Sequence, residues 1–291
     1  MIAAMLMLPL GDALSKLLTG VLSPSHVVMW RLLAQAAFMA PIAFVLRNRL
    51  RGAMFSPIIA LSGALVIVTL SSLVVAFASM PVATVIAIFF VEPLLLTVLA
   101  GPLLGEKAGP RRLIAVGVGL IGALVVIRPG GSDFGWMTVL PALAALSYAL
   151  NMIVLKRATA TRSGLTVQCG ATLYAAAGMV LFVALTGLEA PASILPDAGW
   201  AWGALIAIGA LTGASHLLIA EAFRHAEASS LAPFQYVEIL GATAAGYLLF
   251  GDFPDRFTWI GIAIILASGL YVFQREGVSD TAAPRRRRGV R

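Results

Sequence analysis

Apolar residues run along this chain in blocks about twenty long, with charges gathered in the short joints between them. Blocks of that length cross the roughly 30 Å hydrocarbon core of a bilayer as helices, and they are too long for soluble strands. Ten such segments can be drawn, at 2–20, 25–46, 54–77, 79–101, 111–129, 134–156, 165–187, 199–221, 228–250 and 256–274. Chain breakers mark the joints: Ser23-Pro24, Met80-Pro81, Pro129-Gly130-Gly131 and Phe253-Pro254. Nothing charged separates the third segment from the fourth. Length divides them, because one helix from 54 to 101 would be about 70 Å long. The fourth segment, from Pro81 onward, reads as a single spanning helix with one carboxylate, Glu92, inside it.

That stretch occurs twice. Sliding the chain against itself by 146 residues places Ala76-Phe77 on Ala222-Phe223, Val91-Glu92 on Val237-Glu238, Leu94 on Leu240, Thr97 on Thr243 and Gly105-Glu106 on Gly251-Asp252. The chain therefore reads as two halves, 1–130 and 131–274, followed by a disordered basic tail at 275–291. Basic residues orient them. Arg47, Arg49 and Arg51, then Lys107, Arg111 and Arg112, then Lys156, Arg157 and Arg162, then Arg224, and finally Arg275 with the arginine tail fall on alternate joints. The other joints hold few, so both termini are expected in the cytoplasm. Five helices per half then make the halves inverted, an arrangement suited to alternating access. The expected fold is an all-α polytopic membrane protein with ten transmembrane helices in two inverted five-helix repeats.

Composition agrees. The chain is 60% hydrophobic and 11% charged, with a mean hydropathy of +0.97, where soluble domains carry about 25% charged residues. A lone cysteine, Cys169, excludes an intrachain disulfide framework and a multi-cysteine metal cluster. The amino end lacks a basic leader and a small-residue cleavage site, so it reads as the first spanning helix. The net charge of +7 has its largest block at Arg285 to Arg288, which fits anionic lipid at the membrane surface; no aromatic interleaving points to nucleic acid. Glycines crowd the fifth, eighth and tenth segments (Gly117, Gly119, Gly122; Gly203, Gly209, Gly213; Gly261, Gly269), and close helix packing explains them.

Polar residues at membrane depth are the candidate site. A carboxylate near the bilayer centre costs several kcal/mol unless it is neutral, paired or facing water, so Glu92 and Glu238 belong in the interior. Each is a candidate proton carrier or cation-binding group; the plainer reading is an interhelical hydrogen bond. Asp12 and Lys16, four apart on the first helix, are expected to pair, with Arg31 joining them either as an ion-pair lock or as a selector of charged substrate. Ser147, Tyr148 and Asn151 form one polar turn of the sixth helix. His216 lies deep in the eighth, and Gln235-Tyr236 stand just before Glu238. Phe89 and Phe90 match Gln235 and Tyr236 under the repeat, which admits a planar substrate stacked between aromatics. Glu106 and Asp252 read as loop anchors near helix ends. Nucleotide-binding loops, zinc-protease motifs and paired cysteine ligands are absent, so neither catalysis, a cofactor nor a metal is expected.

With these features in place, the chain resembles the drug/metabolite transporter superfamily, in its ten-helix branch with two EamA-type repeats. The residues that carry the likeness are HVVMWRLLAQ at His26 to Gln35, the run EPLLLTVLAGPLLGEKAGPRRLIAVGVGLIGALVVIRPG from Glu92 to Gly130, and the run beginning AFRHAEASSLAPFQYVEILGATAAGYLLFGDFPDR at Ala222. The chain departs from the pattern where Asp252 replaces the usual second LGE glutamate and where Ile239 stands opposite Pro93. The second-half run is most similar to a bacterial subgroup containing riboflavin and S-adenosylmethionine uptake proteins. That resemblance implies a multi-pass protein of the bacterial inner membrane taking up a small preformed metabolite, with coupled protons as the candidate driving ion. Export of amino acids or related metabolites, and a flippase for lipid-linked intermediates or a nontransporting scaffold, are the alternatives. Monomer and homodimer both stay open.

Overall fold

A computed structural model of the chain describes residues 1–105, 110–127, 135–186, 199–225, 234 and 237–281. Among them are only helices and connecting turns: α1 (Ile2–Leu18), α2 (Pro24–Val45), α3 (Pro57–Ser79), α4 (Val82–Phe89), α5 (Glu92–Leu104), α6 (Pro110–Ile127), α7 (Val139–Thr159), α8 (Gly164–Thr186), α9 (Gly199–His225), α10 (Val237–Phe250) and α11 (Arg256–Thr281), with short 3-10 turns at Arg47–Arg49 and Gly135–Thr138. Pro24 and Pro57 open their helices, where a missing N–H costs nothing. α11 runs on to Thr281, past the expected edge at 274 and into the stretch read as tail. The Gln274-Arg275-Glu276 sequence there consists of good helix formers. The arginine block lies outside the described residues.

The fourth segment corrects the sequence reading. It qualifies by length and composition as one span, Val82–Leu104, and is the most enclosed of the five helical stretches that do, but it is not one helix. Pro93 has no N–H to offer the Phe89 carbonyl four residues earlier, and its ring crowds that carbonyl. The backbone responds by tightening: the Val91 N–H bonds to the Ile88 oxygen at 3.2 Å and the Leu94 N–H to the Val91 oxygen at 3.0 Å, each three residues back. α4 therefore ends at Phe89, α5 begins at Glu92, and the carboxylate sits in the first turn of a half-helix. Glu238 likewise lies in the first turn of α10. The two helices also end alike. Gly105 and Gly251 adopt φ of +74° and +71°, a left-handed conformation that stops the helix and that other residues adopt at a cost.

α6 packs along α11, α3 against α7 and α8, α1 against α9 and α10, α2 against α8 and α9, and α4 and α5 against α7, with α4 also touching α10. One core surrounds α4, where Phe77, Met80, Ile86 and Ile88 meet Ile239 and Ile262; another joins Leu18, Val28 and Leu32 to Met179 and Ile208. Large apolar side chains such as Leu181, Leu185, Ile206 and Leu248 face outward, as expected of helices bathed in lipid.

Several of the glycines are there for packing. A methyl group on Gly209 would meet the Ala34 backbone carbonyl at 2.7 Å, while Gly203, two turns earlier on α9, has nothing within 4 Å. Gly209→Ala should therefore destabilise the protein by about 1–3 kcal/mol through overpacking, read as a lower melting temperature in detergent. Gly203→Ala should not lower it; equal behaviour of the two variants would remove the packing explanation.

Candidate substrate and coupling site

The break at Pro93 sets Glu92 on the inner wall of the bundle at 9% exposure, and the start of α10 brings up Glu238, which is half-buried. α7 supplies Tyr148 from the facing side. Its ring packs on Phe89 with centroids 5.6 Å apart and planes tilted by 60°, a common arrangement for aromatic pairs. Glu92 and Glu238 both act on the Tyr148 hydroxyl through space, and they act on each other. Glu238 also feels Asp12 and Arg31, and His216 feels Arg31. Six of the nine residues singled out in the sequence, Asp12, Arg31, Glu92, Tyr148, His216 and Glu238, thus form one electrostatic neighbourhood drawn from α1, α2, α5, α7, α9 and α10. Gln235 and Tyr236 lie outside the described residues.

The ion pairs differ from the expected ones. Asp12 does not pair with Lys16. Its Oδ1 accepts from Arg31 Nη1 at 2.8 Å, and the same nitrogen donates to Ser15 Oγ at 2.9 Å. Asp12 and Arg31 are 6% and 5% exposed. A guanidinium delivered by α2 at this depth outcompetes a lysine one turn along, because it is less strongly hydrated and gives up less on leaving water. Lys16, nearer the end of α1, turns away instead. Its Nζ pairs with Asp252 Oδ2 at 2.7 Å, donates to the Met80 carbonyl at 3.1 Å and stands 4.6 Å over the Phe250 ring. The Met80 carbonyl is available because Met80 is extended, between the end of α3 and Pro81. Asp252 does anchor a loop, but it does so across the bundle. At the far ends of α7 and α5, Arg157 donates to the Leu103 carbonyl.

Two other candidates are structurally engaged. The Asn151 side-chain oxygen accepts from Ser62 Oγ at 2.6 Å, which fastens α7 to α3. His216 donates its Nδ1–H to the Thr212 carbonyl at 2.7 Å, one turn back on α9. Neither Glu92 nor Glu238 has a hydrogen-bond or ion-pair partner among the described residues. The sequence reading missed the Phe89–Tyr148 pair and the Lys16 contacts. The only signals for them were an aromatic near each carboxylate and a helix break that frees a carbonyl. A separate apolar groove of about 430 Å³ between α6 and α11, lined by Ile114, Ala115, Val118, Ala267, Ser268 and Tyr271, contains none of the site residues.

A sequence profile described as the EamA-like transporter family matches residues 1–128 and again 135–274. A riboflavin transporter of Vibrio cholerae is 31% identical over 205 residues, which cover 70% of this chain and 65% of that protein. A riboflavin transporter of Rhizobium johnstonii is 28% identical over 207 residues, again 70% of this chain and 65% of the relative. The chain thus matches somewhat under two thirds of the length of these two proteins. An S-adenosylmethionine uptake transporter of Rickettsia prowazekii is 26% identical over 269 residues, 92% of this chain and 88% of that one. A crystal structure at 18% identity superposes with a TM-score of 0.59 over 97% of this chain and 98% of its own, a likeness of fold.

The Asp12–Arg31 geometry makes a sharp stability prediction. Arg31→Ala leaves a buried carboxylate uncompensated, which should cost about 3–5 kcal/mol, and Asp12→Ala should cost as much. The double variant should recover part of the loss, measured as melting temperature and folded yield in detergent. Additive losses in the double variant would show that the two side chains are not acting as a pair.

Proposed function

The chain belongs to the EamA-like transporter family, and from that premise we propose that it is a secondary transporter taking up a preformed, ring-bearing metabolite across the bacterial inner membrane. Riboflavin and S-adenosylmethionine are the two ligand types to test first, since they name the relatives just described. The observation that supports the reading is the placement of Glu92 and Glu238, each in the first turn of a helix at the matched position of its half, with both charges acting on Tyr148. Ionisable groups inside a spanning bundle are expensive, and they commonly mark substrate or ion pathways.

The architecture we infer is ten spanning segments, α4 and α5 together forming the fourth, in two inverted five-helix repeats at 1–130 and 131–274. The double family match supports it. So does the packing, which exchanges consistently between halves. α1 meets α9 as α7 meets α3; α2 meets α9 as α8 meets α3; and α1 meets α10 as α7 meets α5. The contacts α6 with α11 and α2 with α8 map onto themselves. In this arrangement the Lys16–Asp252 pair closes the outer end and the Arg157–Leu103 contact the inner end of equivalent helix pairs. Alternating access needs one set to release while the other holds.

For coupling, a proton carried by the Glu92 and Glu238 pair is the proposed ion, with Asp12, Arg31, Tyr148 and His216 as the groups that face it. Proteoliposomes offered riboflavin, S-adenosylmethionine and amino acids, with and without an imposed pH gradient, test both parts. Glu238→Gln keeps the volume and cannot ionise. It should retain counterflow of labelled substrate and lose accumulation driven by the gradient, with Glu92→Gln behaving likewise. Accumulation by both variants with the parent's pH dependence would rule out carboxylate coupling, and no uptake of riboflavin or S-adenosylmethionine would refute the proposed uptake of these ligand types.

Topology has its own test. A reporter active only outside the cytoplasm should give signal when fused near Glu189 and none near Arg51, as the arginine distribution requires. Reversed signals would invert the membrane orientation.

A further inference from the structure

α6 and α11 approach closely where glycine faces glycine. A methyl group on Gly122 would meet the Gly261 carbonyl at 3.1 Å. Toward the amino end of α6 and the carboxyl end of α11 lies the apolar groove of about 430 Å³, within the range of about 300–1,000 Å³ common for small-molecule sites. Ala115 and Ser268 are buried and form its floor, while Ile114, Val118 and Tyr271 are exposed and form its walls. The Ser268 hydroxyl donates to the Ala115 carbonyl. That hydroxyl is spent within the floor, so the groove offers a guest mainly hydrocarbon.

Charge stands at one end of this groove. Residues three and four apart share a helix face, which sets Arg111 and Arg112 one turn before Ile114 and Ala115 on α6, and Arg275 one turn after Tyr271 on α11. The two helices run in opposite senses, since Ala115 meets Ser268 whereas Gly122 meets Gly261. All three arginine positions therefore come to the same end. Within one turn of them along either helix only Glu276 is acidic, so that end is net positive. In the proposed orientation it faces the cytoplasm.

An apolar slot on the outside of a spanning bundle, closed at the membrane surface by cations, has the polarity of a phospholipid. Its chain lies along the helices and its phosphate at their ends, as in basic pockets between spanning helices that hold anionic head groups. We propose that the groove between α6 and α11 binds one anionic phospholipid, with an acyl chain along Ile114, Val118 and Tyr271 and the headgroup phosphate at Arg111, Arg112 and Arg275. The site is separate from Glu92 and Glu238, and it holds whatever the chain transports.

The test is titration of the purified full chain in detergent with phosphatidylglycerol and with phosphatidylcholine of identical acyl chains, counting bound lipid by native mass spectrometry. Phosphatidylglycerol should bind about tenfold tighter or more. Replacing Arg111, Arg112 and Arg275 together by glutamine should bring the two lipids to within about twofold of each other. Ala267→Trp fills the slot from an exposed position, and it should weaken phosphatidylglycerol about tenfold without entering the core. Each variant is checked for folding by its melting temperature. Equal binding of the two lipids by the parent, or a preference unchanged in either folded variant, would overturn the proposal. Survival of the preference in Ala267→Trp would move the charge selection to the tail at Arg285 to Arg288. A dimer that Ala267→Trp takes apart would mean that a second copy covers the groove, which overturns the lipid assignment as well. If one variant fails to fold the other decides, and if both fail the parent's preference decides.

Discussion

A polar group inside a lipid bilayer has no water to fall back on, so the protein must supply every partner itself or leave a space for one that arrives. The interior of this bundle is organised by that constraint. Arg31 meets Asp12 and Ser15, Asn151 meets Ser62, and His216 meets its own helix backbone. Among the described residues, Glu92 and Glu238 have no hydrogen-bond or ion-pair partner, and the buried Arg31 Nε, Ser56 Oγ, Ser215 Oγ and Thr243 Oγ1 are likewise unmatched. The satisfied groups hold the helices in register.

Much of this was legible in the sequence because charge in an apolar run is conspicuous. Glu92, Glu238, Asp12 and Arg31 stand out wherever they fold, and the shift of 146 residues by itself pairs the two glutamates. Partner choice was not legible. Lys16 and Asp252 are 236 positions apart, and no local rule favours that contact over the neighbouring Asp12. The i to i+4 spacing of Asp12 and Lys16 suggested a surface pair. Burial reversed the preference, since a guanidinium was within reach.

The broken fourth segment was half legible. Pro93 was visible, and a proline inside a helix announces a break or kink, yet the length of the apolar run argued for a continuous span. Both are true of different levels of structure: the span is continuous and the hydrogen-bond ladder is not. Its partner α10 begins at the matched position with Ile239 in place of the proline, so the two halves reach similar carboxylate placements from different local sequences.

The Lys16–Asp252 contact has a further consequence. Its side chains are 18% and 31% exposed, so unlike the Asp12–Arg31 pair it is felt by dissolved ions. In the proposed orientation it faces the compartment whose composition follows the surroundings of the cell. Attraction between partly exposed charges is screened as the Debye length shrinks, from about 30 Å in dilute medium to about 10 Å at 0.1 M salt. At 2.7 Å the pair lies well inside either length, so an outer closure made by it weakens only slightly as external ionic strength rises. In the proposed cycle that closure is therefore opened by movement of the helices that carry it rather than by the salt of the surroundings.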